Sequence, residues 1–206
     1  MEPSIHSGLP RGTRCGPTRE VEDINVTDEN RKRSTPRQAN RRSILIGLGA
    51  NLPHPVHGPP RRTCEAALAA LEKAGVRVLA RSPWYASAPV PPSDQPEFVN
   101  GVAEVATRRS PEELLSLMHR IEANFGRVRG RPNAARTLDL DLLSYGEARR
   151  PGPDGPILPH PRLHERAFVL YPLRDVAPDW RHPGFGVGIA ELIAALPPRQ
   201  TCRLLG

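Results

Sequence analysis

The pattern of hydrophobic and polar positions divides the chain near residue 43. Residues 1–42 show little apolar periodicity and no aromatic side chain. Beyond them the apolar positions recur at spacings that name their elements. Ser43-Ile44-Leu45-Ile46-Gly47-Leu48-Gly49 is an aliphatic run ending in glycines, which reads as a buried strand. A loop over 53–60, rich in proline and histidine, follows. Ala67, Leu68 and Leu71 then form the stripe of a helix over 63–74, stopped by Gly75. A strand is expected over 76–81, interrupted at Pro83, with Trp84 and Tyr85 as its continuation.

Prolines at 89, 91, 92 and 96 mark a long loop, and Val99, Val102 and Val105 belong to a strand over 98–107. Ser110-Pro111-Glu112-Glu113 is a strong helix start, with serine as cap, proline at the first position and glutamate at the third. Leu114, Met118, Ile121 and Phe125 follow at helical spacing, up to a stop at Gly126. Residues 138–145 read as a strand, 166–173 are ambiguous, and 189–196 suit a short helix. Strand, helix, strand, strand, helix, strand predicts an α+β, ferredoxin-like fold, a small antiparallel sheet with helices packed on it. The domain is expected over 43–206, and 1–42 as a disordered basic N-terminal extension.

Composition adds exclusions. No apolar run approaches the ~18 residues of a membrane span. Three scattered cysteines, Cys15, Cys64 and Cys202, argue against a disulfide framework and a four-ligand zinc site, and favour a reducing cytoplasm. The net charge is +7 and 27 of the 29 basic residues are arginine, whose forked donors suit phosphate. A GC-rich coding sequence would give the same bias. Residues 1–42 carry nine basic and six acidic side chains, so they hold +3 of that charge. They lack the apolar core of a secretory signal and are too acidic for a transit peptide. They read as a disordered extension or a mis-assigned start. An arm for nucleic acid is the less favoured reading, since no aromatic residues interleave the charges.

The chemistry concentrates in three segments. Residues 126–143 place Asp139 and Asp141 on one face of a strand and Leu138, Leu140 and Leu142 on the other. Two like-facing carboxylates call for a cation between them, and Mg²⁺ suits such a pair where phosphates are also present. Arg127, Arg129, Arg131 and Arg136 surround the Gly/Pro loop just upstream, so metal and guanidinium would clamp a polyphosphate from two sides. A surface cluster of ion pairs explains the same residues equally well. In the second segment, over 87–100, Phe98 and Asn100 share a strand face and could hold a flat heterocycle, or serve as a core phenylalanine and a turn-capping asparagine. The third is Leu158-Pro159-His160-Pro161-Arg162 with Arg166-Ala167-Phe168, where His160 and Arg166 face either phosphates or a structural role. P-loop, dinucleotide-fingerprint, G-x-S-x-G and H-E-x-x-H patterns are absent.

Taken in order, these segments resemble the 6-hydroxymethyl-7,8-dihydropterin pyrophosphokinases of folate synthesis. The resemblance runs from Ile44 to about Pro183. It rests on Gly49-Ala50-Asn51-Leu52, Asp94-Gln95-Pro96-x-Phe98-x-Asn100, Ile121-Glu122 and Gly126-Arg127-x-Arg129. It continues through Arg136-Thr137-Leu138-Asp139-Leu140-Asp141, Pro159-His160-Pro161 and Arg166-x-Phe168-x-Leu170. It implies pyrophosphate transfer from ATP to the pterin; a monomer in the cytoplasm is the accompanying expectation. Asp139 and Asp141 would hold two Mg²⁺ ions, with Arg129 and Arg136 on the transferring group. Glu122, Arg127, His160 and Arg166 would serve ATP. Phe98 and Phe168 would sandwich the pterin, Asn100 would hydrogen-bond it, and Ser87, Ala88 and Val90 would line its pocket. The tryptophan frequent in the family's arginine-rich loop is replaced here by Pro132 or Asn133.

Overall fold

The structure is a computed structural model, and it describes residues 43–127, 134–152 and 155–206. The expected extension over 1–42 and most of the arginine-rich loop lie outside the described residues. In chain order the elements are β1 (Ile44–Ala50), α1 (Pro60–Lys73), β2 (Arg77–Arg81), β3 (Tyr85–Ser87) and β4 (Phe98–Ala106). There follow α2 (Pro111–Asn124), β5 (Asp139–Tyr145), a 3₁₀ turn (Leu163–Glu165), α3 (Ala167–Val176), α4 (Ile189–Ala194) and β6 (Cys202–Leu204). The strands form one antiparallel sheet in the order β5-β1-β4-β3-β6, with β2 also pairing β4. This is an α+β, ferredoxin-like arrangement.

The start of α2 forms as its sequence predicts. Glu113 N–H donates to Ser110 Oγ at 3.2 Å, and Ser110 N–H donates to Glu113 Oε2 at 2.7 Å, so two otherwise orphaned donors are satisfied. Gly126 ends that region with φ +71°, a backbone region that costs glycine nothing.

The interruption expected at Pro83 is present. Pro83 carries no N–H for the ladder, so β2 and β3 are separate strands along the same side of β4. Ser82 bridges the gap: its N–H donates to the Val102 carbonyl at 2.9 Å and its Oγ accepts from Val102 N–H at 3.1 Å. Trp84 packs against Gly101, where an added Cβ would stand 2.6 Å from the indole ring.

The ambiguous stretch over 166–173 is helix α3, which runs on through Pro172 to Val176. Its burial of Val169, Leu170 and Leu173 outweighs the proline that obscured its pattern. Strand β6 had no sequence signal, being three residues long.

Strand alternation splits the core in two. Ile44, Ile46, Leu48, Ala103, Val105, Leu140 and Leu142 face α1 and α2 with Leu68, Leu71, Leu114, Met118 and Ile121. On the opposite face Leu45, Val102 and Leu143 meet Leu163, Leu170 and Leu173 of the α3 side. That second contact covers only one end of the sheet. Along β1 the same face continues as Gly47 and Gly49, and along β5 as Asp141 and Asp139. Gly49 pairs Asp139 on one side and Asn100 on the other.

Candidate functional site

The uncovered end of that face is a cavity of about 200 Å³. Its floor is Gly49, Asn100, Asp139 and Asp141 of β1, β4 and β5. Ser87 at the end of β3 and the long loop after it, with Ala88, Pro89, Val90 and Pro91, supply one wall. Arg127, Arg136, His160, Arg162 and Arg166 crowd the charged end, while Phe98 and Phe168 stand on β4 and α3. The structure therefore brings together every site residue expected from sequence except two. Arg129 lies outside the described residues. Glu122 is 2% exposed and stands behind Arg127 rather than on the cavity wall.

Each end of the cavity has its own chemistry. At the aromatic end Asn100 Nδ2 donates to Ser87 Oγ at 2.9 Å and to the Phe98 carbonyl at 3.4 Å, which fixes the amide plane above Gly49. The Arg166 guanidinium lies 5.3 Å from the centre of the Phe168 ring, linking the two ends through a cation–π contact. Tyr85 donates its hydroxyl to Asp175, so β3 is tied to α3. Burial, then the Asp175 carboxylate, pushes that phenol up to about 12.

At the charged end Arg127 bridges Glu122 and Asp139, and Arg136 Nη1 meets Asp139 Oδ2 at 2.7 Å. Glu122 Oε1 also accepts the N–H of Leu140 at 2.8 Å, which anchors β5 to the end of α2. Burial lowers the pKa of Arg127, but the Asp139 and Glu122 carboxylates outweigh it and the net shift is upward. Burial, joined by the charge of Asp139, raises Asp141 to about 6, against the pull of Arg166, Arg127 and Arg136. Burial, then Arg162, lowers the pKa of Arg166.

His160 is held neutral. Burial, with Arg166 and Arg162 close by, pushes it down to about 4. The N–H of Arg162 donates to His160 Nδ1 at 3.2 Å, so the ring proton sits on Nε2 and is free to donate. Four arginines against Asp139, Asp141 and Glu122 leave this end positive, the sign a polyphosphate needs.

The sequence reading gave no role to several residues here. Gly49 contributes the absence of a side chain: a Cβ there would lie 3.3 Å from Asn100 Oδ1. Arg162 was visible beside His160 but unassigned. Asn51, 2% exposed, ties three segments together. Its Oδ1 accepts from Arg136 N–H at 2.8 Å, and its Nδ2 donates to Gln95 Oε1 and the Pro96 carbonyl, both at 3.2 Å. Its signal in the sequence is its place in the Gly49-Ala50-Asn51-Leu52 motif.

Fold and site together define an α+β domain whose cavity joins an aromatic and amide end to an arginine-rich end with paired aspartates. Comparison with known proteins agrees. The family described as 7,8-dihydro-6-hydroxymethylpterin-pyrophosphokinase (HPPK) matches residues 45–178. A 2-amino-4-hydroxy-6-hydroxymethyldihydropteridine pyrophosphokinase of Pseudomonas aeruginosa is 44% identical over 164 residues, covering 79% of this chain and 97% of the relative. Proteins of the same name from Synechocystis and Haemophilus influenzae are 40% and 38% identical. They span 72% and 79% of this chain, and 73% and 98% of their own lengths. The chain belongs to the HPPK family, the pyrophosphokinases of folate synthesis.

Proposed function

We propose that this chain transfers pyrophosphate from ATP to the hydroxymethyl group of 6-hydroxymethyl-7,8-dihydropterin, giving the pterin diphosphate and AMP. The observation that carries the proposal is the two-ended cavity: rings and an amide at one end, arginines and paired aspartates at the other. The pterin lies between Phe98 and Phe168 and hydrogen-bonds Asn100, against the wall of Ser87, Ala88 and Val90. The hydroxymethyl oxygen attacks the β-phosphorus of ATP and gives up its proton to solvent, the bond from that phosphorus to the α-phosphate's bridging oxygen breaks, and AMP leaves. Arg129 and Arg136 hold the transferring group. Arg127 and Arg166 hold the triphosphate, and His160 donates from Nε2 to a phosphate oxygen. Glu122 keeps Arg127 pointed at the cavity.

Asp139 and Asp141 fit Mg²⁺. Both are hard oxygen donors on one strand face, and Asp141 accepts no side-chain hydrogen bond among the described residues while its pKa is raised to about 6. Held there, as the two ions the resemblance implies, Mg²⁺ would neutralise phosphate charge during in-line transfer. The proposal includes a monomer in a reducing cytoplasm. Cys64 and Cys202 are free thiols, pushed by burial up to about 12 and 11. No helix among the described residues is long and apolar enough to cross a membrane.

The test is incubation with ATP, Mg²⁺ and the hydroxymethyl pterin, followed for AMP. AMP and pterin diphosphate should appear in equal amounts, and Asp139→Ala should cut turnover by at least ~10³-fold. Release of ADP instead, or near-normal turnover in the variant, refutes the reading.

A further inference from the structure

The segment after α4 lies beyond the residues matched by the family, yet it reaches both walls of the cavity. Arg199 has φ +68°, the only positive value at a non-glycine position among the described residues. Such a conformation persists where its surroundings enforce it. Here it turns Gln200 toward the start of α3. That helix begins at Ala167, and its cap residue Arg166 makes no side-chain capping hydrogen bond, so the Ala167 N–H needs an outside partner.

Gln200 is that partner. Its Oε1 accepts from Ala167 N–H at 2.9 Å, and its Nε2 donates to the Glu165 carbonyl at 2.7 Å. One side-chain amide therefore grips the backbone on both sides of Arg166. The next residues continue to the opposite wall. The Thr201 carbonyl accepts from Ala88 N–H at 3.4 Å, Cys202 of β6 pairs Ser87, and Arg203 meets Glu97 at 2.6 Å, beside Phe98. The loop wall and the α3 wall are thus tied to one short stretch of chain.

We propose that Gln200 is a positioning residue for the phosphate end of the site. By holding Glu165 and Ala167 it fixes the backbone of Arg166, and so the place of the guanidinium beside the Phe168 ring. The proposal rests on the reading that Arg166 meets ATP. Misplacement of such a group costs affinity and rate well beyond the lost hydrogen bonds.

The test compares Gln200→Ala, Gln200→Glu and Arg166→Ala with the double variant Gln200→Ala/Arg166→Ala. Amide exchange at Ala167 is read first, without substrate. It should quicken by at least about tenfold in Gln200→Ala and less in Gln200→Glu, which keeps the acceptor oxygen and loses the donor. The KM for ATP should rise about tenfold in Gln200→Ala, partly recover in Gln200→Glu, and show no further rise when Gln200→Ala is added to Arg166→Ala. Unchanged exchange at Ala167, or losses that multiply in the double variant, would overturn the proposal. Wild-type protein that makes no AMP would instead refute the functional reading, and the exchange measurement would still decide whether the clamp exists.

Discussion

The two faces of the sheet are built from the same strands and do different work. On the α1/α2 face every second residue is apolar from end to end: Ile44, Ile46, Leu48 and Ala50 along β1, Leu140 and Leu142 along β5. On the other face the pattern changes partway. Leu45, Val102 and Leu143 are packed by the α3 side, and beyond them stand Gly47, Gly49, Asn100, Asp141 and Asp139. One face is filled by close packing, which stabilises the fold. The other is filled for half its length, and the remainder is where charge and open space are kept. The candidate site here is what packing leaves uncovered.

Substitutions on the two faces should therefore separate stability from turnover. The largest effect on stability belongs to the filled face. Leu114→Ala removes a fully buried side chain and should cost about 2–5 kcal/mol, while activity per folded molecule stays near that of the parent. Denaturant unfolding with an activity assay on the native fraction checks this, and a specific-activity loss above tenfold would break the comparison.

Asn51→Ala lies at the border between the faces and should do some of both. It leaves the partly buried Arg136 N–H without its acceptor and frees the 95–96 turn. A loss of about 1–3 kcal/mol is expected, with pterin affinity falling about tenfold. Calorimetric titration reads the second number, and unchanged affinity would confine Asn51 to the fold.

The smallest effect is in the titration of His160. Its folded value of about 4 lies below the ordinary 6.5, so protonation favours the unfolded chain. Its contribution to stability is complete above pH 6.5 and is lost as pH falls toward 4. His182, lowered to about 4 by burial and His164, acts in the same direction. Imidazole resonances followed by NMR should show His160 neutral at pH 6, and binding of inorganic triphosphate should raise its pKa. A titration near 6.5 in the free protein would remove the buried, phosphate-facing role.

Much of this contrast could be read from the sequence. Period-2 alternation in 138–145 placed both aspartates on one face, and the Ser110 capping box placed α2, because such signals act within a few residues. The breaks came where distant parts of the chain decide. Pro172 is carried within α3 by the burial of Leu170 and Leu173. Gly49 matters through a missing side chain, and Asn51 and Gln200 through bonds to residues more than thirty positions away. Spacing along the chain has no signature for those.

The most direct test of the account is Asp141→Asn, with thermal unfolding and AMP formation measured on the same preparation at pH 7. Asp141 is half-buried beside Asp139, and burial with that neighbouring charge raises its pKa to about 6, so folding penalises its charge relative to the unfolded chain. The account predicts a melting temperature equal to or above the parent's, with AMP formation down by at least ~10³-fold. A variant that melts several degrees lower, or that keeps its turnover, would contradict it.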